Sequence, residues 1–79
     1  IDLIAVDGDT LVFIEVKTRR SRRFGEPFEA VDPRKQKRMT RAALWYLKRF
    51  DVPPPCRFDV VSISRAAGLP SVRHIRNAF

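Results

Sequence analysis

Two apolar runs separated by four turn-forming residues begin the chain and constrain its fold more than any other feature. Residues 1–6 (IDLIAV) and 11–18 (LVFIEVKT) are rich in Ile, Leu, Val and Phe, and the DGDT between them carries a glycine that tolerates positive φ. This pattern predicts a β-hairpin. With 79 residues in the whole chain, we expect one domain over residues 1–79.

The remaining segments predict a helix and a third strand. Residues 19–31 show no stable period and are predicted to form a loop. Asp32 and Pro33 are typical of a helix N-cap and first helical residue, and the helix is predicted to run to about Phe50, before a proline run. Residues 57–63 predict a strand, and a short tail follows. The expected fold class is α/β, a mixed sheet in the order β–β–α–β with a crossover helix.

Side chains alternate along a strand, so Glu15 and Lys17 share one face of the hairpin. If Gly8-Asp9 is a two-residue turn, Asp2 pairs with Glu15. If the turn lies one residue earlier, Asp2 lies opposite Phe13 and diagonal to Glu15. A three-residue loop would move Asp2 to the other face.

Two carboxylates that converge on an apolar sheet repel each other, and a divalent cation removes that repulsion. Mg²⁺ takes carboxylate oxygens together with waters and phosphate oxygens, and Lys17 could then orient an attacking water. The same residues also fit a surface ion pair between Glu15 and Lys17, with Asp2 a solvated residue at the strand end. The sequence leaves both interpretations open.

The predicted helix has one apolar stripe, with Lys35 and Gln36 on its two flanks, so its first turn directs them toward the sheet. They could equally extend along the edge of the stripe into solvent. The stripe consists of Met39, Ala43, Tyr46, Leu47 and Phe50.

Basic residues dominate the charge, with a formal net charge of +7 and 16 Lys and Arg against nine Asp and Glu. They concentrate in residues 17–23 and 33–50, and the second segment contains no acid, which favours nucleic acid as the partner over a membrane. A solvated helix face and an exposed loop would give the same pattern. The candidate nucleic-acid-binding residues are Arg19, Arg20, Arg22, Arg23, Lys35, Gln36, Lys37 and Arg41.

The motifs "IDLIA", "VFIEVKTRR", "FGEPFEAVDPRKQKRM", "ALWYL", "RFDVVSI" and "HIRNAF" together resemble the YraN-like family of uncharacterised bacterial proteins. That family resembles the PD-(D/E)xK nuclease superfamily, whose layout is shared by archaeal Holliday-junction resolvases. The resemblance implies a restriction-endonuclease-like mixed sheet. It also implies that Asp2 and Glu15 are metal ligands, with the Val16 carbonyl as a further donor, Lys17 as the catalytic lysine, and Mg²⁺ or Mn²⁺ as the cofactor.

Members of that family carry an N-terminal helix and a first strand ahead of "GEIDLIA". The resemblance therefore implies that the domain is N-terminally incomplete here, with a sheet edge left for a partner such as a second copy in a homodimer.

The first functional hypothesis is a metal-dependent endonuclease that hydrolyses phosphodiester bonds, in DNA rather than RNA and in branched or damaged structures. The alternative is a non-catalytic nucleic-acid-binding protein of the same fold, and a protein-interaction subunit is a third option. The single cysteine, Cys56, permits no internal disulfide, which favours a cytoplasmic location. Asp59 and His74 are predicted to be structural.

Overall fold

A four-stranded mixed sheet with one helix packed on it forms the fold of the computed structural model, which describes residues 1–19, 31–65 and 68–79. The sheet has the order β1-β2-β3-β4. β1–β2 and β3–β4 are antiparallel, whereas β2–β3 is parallel. A parallel pair needs a long connection, and the helix lies within it. The elements are β1 (Leu3–Asp7), β2 (Thr10–Arg19), α1 (Pro33–Leu47), β3 (Cys56–Ser64) and β4 (Ser71–Ile75).

The hairpin turn is the first of the alternatives that the sequence allows. Asp7 pairs with Thr10, so Gly8 and Asp9 form a two-residue turn. Gly8 has a φ of 61°, which fits the glycine-first turn that matches the twist of a hairpin. The register continues to Leu3 opposite Ile14 and places Asp2 beside Glu15.

Helix α1 begins as predicted and ends earlier than predicted. The Asp32 side chain accepts a hydrogen bond from the Arg34 N–H at 2.7 Å, and Pro33 occupies the first turn. The prediction that the helix reaches about Phe50 is wrong, because α1 ends at Leu47. Residues 48–50 instead donate to carbonyls three residues earlier, so the last turn tightens before the proline run.

The C-terminal segment contains a strand that the sequence reasoning missed. Residues 71–75 were predicted as part of a tail, but they form β4, which pairs antiparallel with β3 from Ser64↔Ser71 to Val60↔Ile75. The element order is therefore β–β–α–β–β. The α/β class and the mixed sheet with a crossover helix are confirmed.

The core lies between α1 and one face of the sheet. Phe13 and Leu11 of β2 pack with Ala43 of the helix, and Met39 packs with Val60 of β3 and Val31. Phe50 is at the edge of the stripe and exposed. Because Glu15 follows Phe13 on the same face, it also lies under the helix.

Candidate metal and nucleic-acid site

Glu15 is a carboxylate buried beneath the helix. Only 7% of its surface is exposed. Its Oε2 forms an ion pair with Lys35 Nζ from the first turn of α1, and its Oε1 lies 3.7 Å from the amino group of Ile1. Of the two alternatives for Lys35, the contact agrees with the one in which the helix directs it toward the sheet. There it neutralises Glu15, the one acidic residue of β2.

Asp2 is fixed to the same strand by two hydrogen bonds. Its backbone N–H donates to the Ile14 carbonyl at 2.9 Å, and its Oδ2 accepts from the Val16 N–H at 2.8 Å. Asp2 is therefore joined to the backbone on both sides of Glu15, with its carboxyl on the Val16 side. One Asp2 oxygen is engaged in the hydrogen bond from Val16, which leaves Oδ1 available to another donor or a cation.

Lys17 shares the helix-facing side of β2 with Glu15 and is half-buried. It lies opposite Ser62 of β3 in the parallel register. Among the described residues it forms no ion pair, and it does not line the cleft around Asp2 and Glu15. The structure therefore brings Asp2, Glu15 and Lys35 into one cleft and places Lys17 one step further along the strand.

The cleft at the two carboxylates has a volume of about 510 Å³ and a mixed lining. Arg38 reaches it from the second turn of α1. Its lining residues are Ile1, Asp2, Glu15, Lys35, Arg38, Met39 and Ala42. Arg38 also belongs to a second depression of about 390 Å³ on the outer surface of the helix. We call the residues of this depression, Arg34, Lys37, Arg38 and Arg41, the basic helix face.

The other predicted binding residues are divided between this surface and the rest of the chain. Lys37 and Arg41 are exposed on the basic helix face. Gln36 is half-buried and donates from Nε2 to the Val31 carbonyl at 2.7 Å, so it fixes the residue that precedes the helix cap. Arg19 is the last residue of β2, and Arg20, Arg22 and Arg23 lie outside the described residues.

The donor set of the cleft suits a hard cation that keeps most of its own waters. Within residues 1–19, 31–65 and 68–79, no group of three or more His, Cys, Asp or Glu side chains is arranged so that it could hold a metal ion. Mg²⁺ is typically held by one or two carboxylates and completes its shell with water and phosphate oxygens. Asp2 and Glu15 are two such carboxylates in one cleft, and Lys35 is already paired with Glu15 Oε2. By donor type alone, two carboxylates match the protein ligands that Mg²⁺ takes.

A second polar cluster occupies the opposite face of the sheet, centred on the fully buried Asp59. Arg57 donates from Nε to Asp59 Oδ1 at 3.0 Å and from Nη1 to Asp7 Oδ2 at 2.8 Å. His74 Nε2 lies 2.7 Å from Asp59 Oδ2, and the Asn77 N–H donates to Oδ1 at 3.1 Å. These contacts tie the hairpin, β3 and β4 together.

The protonation of this cluster follows from its contacts. Burial raises the pKa of Asp59, but hydrogen bonds from Arg57, His74 and the Asn77 N–H outweigh it, so the pKa of Asp59 is lowered overall. The hydrogen bond from Arg57 also lowers the pKa of the exposed Asp7, and the two carboxylates raise the pKa of Arg57. Because Asp59 is ionised, it only accepts hydrogen bonds, and His74 donates from Nε2.

Two features of these sites were missed by the sequence reasoning. The Asp59–His74 contact depends on β4, whose sequence SVRHI has no regular alternation of apolar and polar residues that would have predicted a strand. Ser62, on the helix side beside Lys17, is 1% exposed, and its Oγ has no hydrogen-bond partner among the described residues. A serine between apolar residues in the VVSI segment gave no sign of this position.

Together, the fold and the cleft define a small mixed α/β protein in which a basic helix packs over Glu15 of β2, with Asp2 beside it in an open cleft. Within the described ranges, no helix has the length and apolar character needed to cross a bilayer. The chain belongs to the Uncharacterised protein family UPF0102, whose family model matches residues 1–63. The YraN-like resemblance is thereby confirmed at the level of the family.

Several bacterial UPF0102 proteins are similar to the whole chain. One from Symbiobacterium thermophilum is 57% identical over 81 residues, covering 100% of this chain and 69% of the relative. One from Chromohalobacter salexigens is 52% identical over 79 residues, with 100% and 64% covered. A third, from Geotalea uraniireducens, is 47% identical over 81 residues with the same coverage as the second. The chain thus spans about two thirds of the length of the curated relatives it matches.

Proposed function

We propose that this chain carries the catalytic centre of a metal-dependent nuclease that hydrolyses phosphodiester bonds in nucleic acid. The observation that carries the proposal is the pair of carboxylates, Asp2 and Glu15, held in one cleft that Arg38 joins to the basic helix face. The PD-(D/E)xK resemblance supports the nuclease proposal. It also supports a restriction-endonuclease-like fold and DNA as the substrate, including branched or damaged DNA.

Each residue has a role that follows from its chemistry. Asp2 and Glu15 would hold Mg²⁺ or Mn²⁺, and the Val16 carbonyl is the proposed third donor. The cation, when bound, supplies Lewis-acid polarisation of the phosphate and lowers the pKa of a bound water. Lys17 would offset the negative charge that develops on the phosphate oxygens as the P–O bond breaks.

The substrate would be bound by the basic helix face. Its four cations lie on one exposed surface, and phosphate contacts of this kind require no particular base sequence. Because Arg38 lines both the cleft and this surface, a strand that follows the helix would pass the carboxylates. Other predicted nucleic-acid-binding residues, Arg19, Arg20, Arg22 and Arg23, would add further contacts with phosphate.

A second candidate function is a non-catalytic nucleic-acid-binding module. The observation that favours it is the Lys35–Glu15 ion pair, because a carboxylate that is already neutralised has no need of a metal ion. In that case the basic helix face binds phosphate, and Glu15 and Lys35 stabilise the packing of α1 on the sheet.

A cleavage assay distinguishes the two functions. The chain and its longer Symbiobacterium relative would be incubated side by side with labelled single-stranded, duplex, flapped and four-way-junction DNA, and with RNA, in Mg²⁺ or Mn²⁺. The nuclease proposal expects cleavage that disappears with a chelator and in the Glu15→Gln variant. Asp9→Asn, which changes an exposed acidic residue of the hairpin turn, is the matched control and should keep full activity.

Each result has a definite meaning. Cleavage that survives in the Glu15→Gln variant would show that a different site or a contaminant is responsible. Binding of nucleic acid by both proteins without cleavage of any substrate would establish the binding module instead.

A further inference from the structure

Lys35 already pairs with the carboxylate that would bind a metal ion at Glu15. Its ammonium forms an ion pair with Glu15 Oε2, and the Glu15 side chain is only 9% exposed. A carboxylate buried to this degree is strongly destabilised without a neutralising partner. An ionised Glu15 therefore needs a compensating positive charge, and the side chain of Lys35 provides it.

We propose that Lys35 is an exchangeable internal counterion, which leaves Glu15 when a divalent cation binds there. The inference rests on the proposed metal site. An ammonium and a divalent cation on adjacent oxygens of one carboxylate repel each other strongly in a partly buried cleft. Lys35 can move away at small cost, because its side chain is 36% exposed and its four-carbon stem is flexible.

Once released from Glu15, the Lys35 ammonium would lie near Arg38 and the basic helix face. Lys35 and Arg38 line the same cleft, and Arg38 continues into the basic helix face. Once free of Glu15, Lys35 adds a cation to the surface that would meet the phosphate. Metal binding and phosphate binding are thus coupled through one side chain. The cleft attracts phosphate more strongly after a metal ion has bound to the carboxylates.

The first measurement is the affinity for Mn²⁺ by titration calorimetry. Lys35→Met removes the competing ammonium, so we expect Mn²⁺ to bind about 3- to 10-fold more tightly, which corresponds to the strength of a partly exposed ion pair. Lys37→Met is the matched control, since it removes the same charge two residues along the same helix from an exposed position. Its Mn²⁺ affinity should stay close to that of the unchanged protein.

The second measurement needs no substitution, so it is valid even if Lys35→Met fails to fold. Trace acylation followed by mass spectrometry reports how accessible each lysine amine is. Lys35 should be protected without metal and should react several-fold faster with saturating Mn²⁺. Lys37, exposed in both states, is the internal reference.

The outcomes separate this inference from the proposed function. Tighter binding by Lys35→Met together with faster labelling of Lys35 supports the exchange. Mn²⁺ binding without any change in Lys35 labelling, or weaker binding by Lys35→Met, overturns the exchange and leaves the metal site standing. Failure of both the unchanged protein and a folded Lys35→Met variant to bind Mn²⁺ overturns the metal site, and the exchange with it.

Discussion

Glu15 and Asp59 are two acidic side chains buried in one sheet, and they face opposite sides of it. Glu15 is neutralised by a lysine that arrives from a helix and can retract. Asp59 is held by Arg57 and His74, which project from β3 and β4, and by a backbone N–H of the chain end. Three partners, one of them a backbone N–H, make Asp59 a structural residue, whereas Glu15 Oε2 pairs with the flexible side chain of Lys35, which a ligand could replace.

Lys17 is the residue whose substitution tests the chemistry rather than the metal. Under the proposed function, Lys17→Met removes the charge that offsets the developing phosphate negative charge and lowers the cleavage rate about 100-fold or more. The Mn²⁺ affinity should change little, because Lys17 does not line the cleft among the described residues. Lys48→Met, at the far end of the helix, is the control in single-turnover kinetics. A normal rate for Lys17→Met would remove Lys17 from the mechanism.

Asp59 makes the stability of the fold depend on pH in the acid range. Its pKa is lowered below the ordinary value of 3.8, so its contribution is fully present above that pH and is lost as the pH falls through the lowered value. Asp59→Asn should reduce the free energy of unfolding at neutral pH by about 3 kcal/mol, because Arg57 and His74 lose a buried partner.

Urea unfolding of both proteins from about pH 6 down to about pH 2.5 measures this difference. The gap between the unchanged protein and Asp59→Asn should stay constant above the ordinary carboxyl pKa and narrow below it. A gap that does not depend on pH would mean that the charge of Asp59 contributes nothing to stability.

At the scale of secondary-structure elements, local signals were sufficient for the hairpin and the helix start. The DGDT turn fixes the register of β1 and β2, and that register alone places Asp2 beside Glu15. The helical period placed Lys35 on a flank of the apolar stripe and left open whether it turns to the sheet or to solvent; the structure shows it paired with Glu15. The hairpin and the helix start were predictable because each depends on residues close in sequence and on one fixed geometry.

The elements that could not be predicted depend on distant parts of the chain. β4 has five residues, and only its pairing with β3 identifies it as a strand. Because β4 was not predicted, no partner for His74 was evident from the sequence, and its contact with Asp59 could not be predicted either. The helix end at Leu47 was missed because Lys48 and Arg49 are good helix formers, and the chain turns there before the prolines require it.

The hairpin turn tests the importance of this local geometry. Gly8→Ala has room for the new methyl group, with no atom within 4 Å, but it must adopt a φ of 61° that an alanine disfavours. We expect a loss of about 1–2 kcal/mol in the free energy of unfolding, measured by thermal or urea denaturation. Asp9→Ala, at the second turn position, should cost much less. Equal losses for the two variants would contradict a turn of this type.

At the scale of the whole molecule, the formal net charge is +7, and four of the 16 Lys and Arg residues form the basic helix face, where the proposed substrate would bind. The basic helix face carries four cations next to the cleft, while the opposite side of the sheet carries the neutralised cluster around Asp59. This asymmetry predicts a preferred orientation on a polyanion, with the helix towards the phosphates.

The salt dependence of DNA binding tests that orientation. Neutralising Lys37 and Arg41 together removes two phosphate contacts. We therefore expect the plot of log binding constant against log salt concentration to become less steep by about 2 for duplex DNA. The control replaces Arg65 and Arg76, two exposed cations outside the basic helix face, and should leave the slope nearly unchanged. If both double variants lower the slope equally, the molecule binds without a preferred side.

The parallel pairing of β2 with β3 has a consequence for the order in which the molecule folds. β1 and β2 meet through a two-residue turn, whereas β2 pairs each residue i with residue i + 45 of β3. Hairpins close in about 1–10 μs, and pairing over a long separation is slower because more chain entropy is lost first. We expect substitutions in the hairpin to slow refolding and substitutions in the contact of α1 with β3 to speed unfolding, which stopped-flow chevron plots would reveal; the reverse pattern would refute this order. In this order of folding, Asp2 and Glu15 come together while still surrounded by water, and Lys35, which pairs with Glu15, arrives only when the helix covers the sheet.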